Sequence, residues 1–180
     1  MSAPTFGVRE LIDAHYEALY RYAYRLTGNS SDAEDLTQDT FGKAIARLGQ
    51  LRDRDRAKSW LFRILRNAYL HRVRDERRKK LVPIEAVGDL AEILPEAPPE
   101  VDSAALQEAL DELDETFRTP LILFYFEDFS YRDIAEQMDL PIGTVMSRLA
   151  RAKGYLRSRL LPRLDAGWAA SPNAPRRADP

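Results

Sequence analysis

Few side chains in this chain could do covalent chemistry. It has no cysteine and only two histidines, His15 and His71, so thiolate nucleophiles, thiolate metal sites and histidine acid–base catalysis have little to build on. The carboxylates are more informative. Asp32, Asp35 and Asp39 recur at steps of three and four, so a helix would place them along one edge, with Gln38 beside them. Three chemistries use such an edge. Acids in a first helical turn stabilise the helix dipole, which suits Asp32 and Glu34 better than Asp39, two turns in. A carboxylate cluster can hold a divalent metal for hydrolysis, although bundle metal centres draw ligands from several helices. No second acidic helix motif is present in the sequence. An exposed acidic edge can also dock a basic partner.

Arginine is the second informative residue type. From Pro141 to Arg163 there are six Lys/Arg and no acidic residue, and the run includes Arg148, Arg151, Lys153 and Arg157. Arginine is the commonest reader of guanine in the DNA major groove. Gly143, Thr144 and Ser147 are small enough to let a helix N-terminus approach phosphates. A second basic run interleaves Trp60, Arg63, Arg66, Asn67 and Arg74. Aromatic faces, guanidinium groups and an amide together suit a single nucleic-acid strand, by stacking, phosphate pairing and base-edge hydrogen bonding. Taken singly, Trp60 and Phe62 are better explained by core packing, and His15 by a surface or packing role.

These residues need helices to position them. Ser130 is a good N-cap and Asp133 sits in the first turn it opens. Ile134, Ala135 and Met138 follow at helical spacing, and Asp139 to Gly143, with Pro141, breaks the helix. A second helix from about Thr144 to Leu160 carries the stripe Val145, Leu149, Ala152, Leu156 and Leu160. The result is a helix-turn-helix, with a second helix suited to the major groove. Upstream, residues 8–27 form a helix striped by Leu11, Ile12, Tyr16, Leu19, Ala23 and Leu26 and ended by Gly28. Ser31 and Glu34 have capping-box spacing and open a helix to about Leu48, with Leu36, Phe41, Ala44 and Ile45 inward. Residues 49–59 are a polar loop, and residues 60–74 a third helix packed through Leu61, Ile64, Leu65 and Ala68. Residues 103–113 are helical, Pro120 opens a further helix at its first turn, and residues 121–126 are its buried part.

The expected fold is all-α: two small helical domains, residues 8–80 and 103–163, joined by a linker at 81–102. The linker holds four of the eleven prolines. Residues 164–180 read as a disordered tail. Charge divides the chain the same way. Leu51–Lys80 has twelve Lys/Arg against four Asp/Glu, a net +8, whereas Leu81–Thr119 has eleven Asp/Glu against one Arg, a net −10. No apolar run approaches the roughly 20 residues of a membrane span. The N-terminus lacks a signal-peptide pattern, so the expected location is cytoplasmic, with no membrane insertion.

Two motif blocks resemble the extracytoplasmic-function (ECF) class of bacterial RNA polymerase sigma factors, in the sigma-70 family. The first is DAEDLTQDTFGKAI at 32–45 with WLFRILRNAYLHRVR at 60–74; the second runs from FRTPLILFYFEDFSYRDIAEQMDLPIGTVMSRLARAK onward, at 117–160. The resemblance implies a non-enzymatic protein without cofactor that binds core RNA polymerase and directs promoter recognition, melting and initiation. It implies docking on the clamp helices of the polymerase largest subunit through Asp32, Asp35, Leu36, Gln38 and Asp39. It implies −10 recognition by Lys58, Ser59, Trp60, Arg63, Arg66, Asn67 and Arg74. It implies reading of duplex −35 DNA by Thr144, Ser147, Arg148, Arg151, Lys153 and Arg157. Many members of the family are held by an anti-sigma factor. Leu113-Asp114-Glu115 departs from the family's usual proline-containing string there. Two other readings of the residues stand beside this one: a polymerase-independent helix-turn-helix regulator, which would dimerise on duplex operators, and an all-α metal-dependent hydrolase built on Asp32, Asp35 and Asp39.

Overall fold

The computed structural model describes residues 7–79 and 103–169, with side chains described for 7–75 and 103–161. The expected linker at 81–102 lies outside the described residues. Among the described residues there are seven α-helices and no strand: α1 (Val8–Thr27), α2 (Ser30–Ala46), α3 (Ala57–Lys79), α4 (Ser103–Asp111), α5 (Glu115–Tyr125), α6 (Tyr131–Met138) and α7 (Ile142–Ala169). Two single 3₁₀ turns, Leu48–Gln50 and Arg54–Arg56, lie between α2 and α3.

Local chemistry sets the helix ends. Gly28 closes α1 at φ 67°, a left-handed conformation that glycine adopts without a Cβ clash, and its N–H donates to the Tyr24 carbonyl at 2.8 Å. The α2 cap is Asn29 rather than Ser31: Asn29 Oδ1 accepts the Asp32 N–H at 3.1 Å, so the helix begins earlier than expected. The expected cap of α6 is present in full. Ser130 Oγ accepts the Asp133 N–H at 3.2 Å, and Asp133 Oδ2 accepts the Ser130 N–H at 3.1 Å.

Further boundaries differ from expectation, and α3, expected over 60–74, runs from Ala57 to Lys79. α5 starts at Glu115, capped by Asp114, so Pro120 lies inside the helix and not at its first turn. Pro120 has no N–H and leaves the Thr116 carbonyl without its intrahelical donor. α7 starts at Ile142 and continues to Ala169, well into the stretch expected to be a disordered tail. Ile45 and Tyr16, both expected inward, are 41% and 43% exposed. Tyr16 still packs by stacking on Tyr20 and Phe41.

α1, α2 and α3 form the first half, and α4 to α7 form the second, in which α6 and α7 make the helix-turn-helix. The buried residues of the two halves run together. One apolar cluster extends from Leu11, Leu19 and Leu26 through Leu61, Phe62 and Leu65 to Leu121, Ile122, Phe129, Ile134 and Leu149. Phe62 is fully buried, which settles it as core. It stacks on Tyr22 of α1 at 4.9 Å and meets Phe129 of the second half at 5.2 Å.

The α1 C-terminus is tied across the seam as well. A helix leaves its last carbonyls without backbone donors. Here Arg118 Nη1 of α5 donates to the Leu26 carbonyl at 2.9 Å, and Gln107 Nε2 of α4 donates to the Arg25 carbonyl at 3.3 Å. The Arg25 guanidinium lies 3.8 Å over the Phe126 ring.

Candidate polymerase and nucleic-acid interfaces

The acidic edge forms on α2. Asp35, Gln38 and Asp39 are exposed on one side, while Ala33, Leu36, Thr37 and Thr40 are buried on the other. Leu36, expected to contribute to docking, is fully buried and supports this face from below. Asp32 sits at the helix start, where its carboxylate faces the positive end of the dipole. Asp39 Oδ2 accepts from Arg72 Nη2 of α3 at 2.7 Å, which ties the edge to the next helix. Among the described residues, no three His, Cys, Asp or Glu side chains converge in a way that could hold a metal ion.

The basic face of α3 has a different environment. Lys58, Ser59, Arg63 and Arg66 all meet the second half. Lys58 Nζ donates to the Glu127 carbonyl at 2.7 Å and lies 5.2 Å over the Phe129 ring. Gln137 Nε2 of α6 donates to the Ser59 carbonyl at 2.9 Å. Arg63 Nη2 reaches the Glu136 carbonyl at 3.3 Å and its carboxylate at 3.5 Å. Arg66 Nη1 lies 3.4 Å from the Gln137 carbonyl. Arg56, in the turn before α3, donates to Glu136 Oε1 at 3.0 Å.

Glu136 therefore sits between two arginines of the other half, where a phosphate could sit. Trp60 is half-buried against the core, whereas Asn67 and Arg74 are exposed. A cavity of about 560 Å³ opens between the loop before α3 and the helix-turn-helix, lined by Arg52, Arg56, Trp60 and Arg63 opposite Asp133 and Glu136. Sequence reasoning missed Glu136, Gln137 and Glu127 as partners. Their contacts reach 69 to 80 positions back along the chain, and nothing local marks them.

The seam also encloses a buried acid. Glu127 is 2% exposed, and burial lifts its carboxyl above the usual carboxylate range against the downward pull of Lys58, Arg21 and Arg25. Its Oε1, with Gln137 Oε1 and Arg66 Nε, is buried without a hydrogen-bond partner. Burial, with Lys58 nearby, lowers the His15 pKa.

On α7, Val145, Leu149, Ala152 and Leu160 of the expected core stripe are buried, while Leu156 is half-buried against the core. Ser147 and Arg151 are exposed, and Ser147 Oγ donates to the Thr144 carbonyl at 3.0 Å. Thr144, Lys153 and Arg157 are half-buried, and Lys153 Nζ lies 5.8 Å over the Tyr125 ring. Arg148 is half-buried too. Its Nη1 lies 3.5 Å from the Thr116 carbonyl, the one that Pro120 leaves without a helical donor.

Residues 11–79 match the family model for sigma-70 region 2, and residues 103–156 match that for sigma-70 region 4. The ECF RNA polymerase sigma factor EcfG of Rhodopseudomonas palustris is 34% identical over 160 residues, covering 87% of this chain and 86% of that protein. This chain belongs to the ECF RNA polymerase sigma factors. The ECF sigma factor SigE of Mycolicibacterium smegmatis is 36% identical over 159 residues, and the match spans 84% of this chain and 60% of SigE. Among solved structures, the sigma factor RpoE of Bartonella quintana, in complex with the anti-sigma factor NepR, is similar at a TM-score of 0.70 and 32% identity, covering 85% of this chain and 96% of that one. Region 2 of this sigma factor is thus the α1–α3 half, and region 4 the helix-turn-helix half. Transcription initiation through RNA polymerase binding and promoter recognition is the work of the family. Among the described residues no helix is long and apolar enough to cross a membrane.

Proposed function

We propose that this sigma factor docks on the clamp helices of the polymerase largest subunit through the α2 edge of Asp35, Gln38 and Asp39. The carrying observation is that this acidic edge is exposed while the basic face of α3 is engaged elsewhere. Lys58, Ser59, Trp60, Arg63, Arg66, Asn67 and Arg74 capture the melted −10 strand, and α7 enters the −35 major groove. The mechanism is binding. Extruding a −10 base costs a few kcal/mol of unstacking, offset by stacking and hydrogen bonds in the protein. It takes place in the cytoplasm, where the polymerase is.

Most of the proposed −10 residues contact α6 or the segment before it, so strand capture requires the two halves to part. An anti-sigma factor is a further proposed partner, since the B. quintana relative was solved with one. Gel filtration of the chain with bacterial core polymerase tests the docking. Co-elution is expected, and its loss in Asp35→Arg and Asp39→Arg variants that remain folded supports the edge. Co-elution unchanged by both reversals would refute the edge. Failure of the native chain to co-elute would favour a regulator acting without polymerase.

A further inference from the structure

The recognition helix carries a second apolar stripe about a quarter turn round from its core stripe. Ile142, Met146 and Ala150 follow one another at steps of four, and all three are exposed; Ile142 is 46% and Met146 51% accessible. The core stripe of the same helix, Val145, Leu149 and Ala152, is almost completely buried. A solvent-facing methionine gains nothing from water, and it stands here at the edge of the face that carries Ser147 and Arg151, on a helix with no acidic residue from Pro141 to Arg163. That one-signed surround favours a polyanion as the occupant over another protein surface. Within a DNA major groove the apolar feature of a base edge is the C5-methyl of thymine. Methionine is long, unbranched and polarisable, which suits it to fill the space beside such a methyl. Ala150, one turn on, is small enough to leave that space open.

Arg148, which by type alone is the nearer candidate reader, is drawn back to the Thr116 carbonyl on α5. We propose that Met146 is a specificity-determining residue of this sigma factor, selecting thymine in the −35 duplex by apolar contact with its C5-methyl. The proposal rests on the reading of α7 as the −35 element reader.

The test uses holoenzyme assembled from the full chain and bacterial core polymerase. Duplexes randomised across the −35 element are selected for binding. The selected duplex is then resynthesised with each thymine replaced singly by deoxyuracil, which lacks only the methyl. At one or two positions uracil should weaken binding about threefold to fourfold, the size expected for one buried methyl-sized group. Met146→Ala should bind both versions equally, and Met146→Leu should restore part of the difference. The proposal is overturned if uracil binds as well as thymine with the native chain, or if Met146→Ala keeps the discrimination. It is equally overturned if Met146→Ala weakens core polymerase binding instead, which would assign the stripe to a protein contact. Holoenzyme with no −35 sequence preference would fail the reading of α7 itself. A preference indifferent to the methyl would fail only Met146.

Discussion

Reversing the charge of Glu136 should open the two halves of the free protein. Glu136 pairs with Arg56 at 3.0 Å and with Arg63 at 3.5 Å, and its side chain is 54% exposed. Exposed ion pairs of this kind contribute about 0.2–1 kcal/mol each. Glu136→Arg removes both and sets a third cation against the two arginines, so the closed arrangement should lose about 1–3 kcal/mol, or roughly 5–150-fold in population.

The apolar cluster shared by the two halves opposes this opening. The Phe62–Phe129 contact, the Lys58 bond to the Glu127 carbonyl and the donors to the end of α1 remain. Against them stand three buried polar atoms without partners, on Arg66, Glu127 and Gln137. Each such atom typically costs about 1–3 kcal/mol when buried. The chain has no cysteine, so Lys43→Cys and Ser158→Cys, both at exposed positions, would accept a dye pair cleanly. Energy transfer between α2 and α7 should fall in the Glu136→Arg protein, less so in Glu136→Gln, and binding of a single-stranded −10 oligonucleotide should rise. The reasoning is refuted if transfer efficiency and strand binding both match the native chain at low salt, where surface pairs are strongest.

Three further outcomes are expected. Phe62→Ala should destabilise the protein by about 3–5 kcal/mol in denaturant unfolding, because the ring is fully buried and packs on both halves; a loss below 1 kcal/mol would remove it from the shared core. Burial keeps the proton on Glu127 to a higher pH than on an ordinary carboxyl, so the folded chain binds it more tightly than the unfolded one. That contribution to stability is fully present below the ordinary carboxyl pKa of about 4.3 and is lost as pH rises through the raised folded value. Glu127→Gln should flatten this fall in thermal unfolding measured from about pH 4 to 8, and an unchanged profile would count against it. Finally, Arg151→Ala should weaken −35 duplex binding by about 1–3 kcal/mol. Arg148→Ala should cost less, because its guanidinium lies toward α5; the reverse ranking in a fluorescence-anisotropy titration would refute that assignment.

Much of this protein was legible from local sequence. The bounds of α1 agree with the expected 8–27, because apolar spacing and a terminal glycine act within a few residues. The Ser130–Asp133 cap and the break before α7 were equally readable, since a cap joins a side chain to a backbone three positions away. The acidic edge of α2 followed from helical periodicity alone. Local choices between near-equivalent signals went otherwise: Asn29 took the cap expected at Ser31, and Pro120 was accommodated inside a helix whose cap lies upstream.

What periodicity could not supply is anything that depends on the two halves meeting. Leu36 is fully buried beneath the acidic edge of α2, Glu136 pairs with Arg56 and Arg63 of the other half, and Arg118 caps a carbonyl 92 positions back. A helix is written in contacts three and four residues apart, so the sequence determines it directly. The seam is a sum of weak contacts between distant residues, and only the folded chain decides which of them are made.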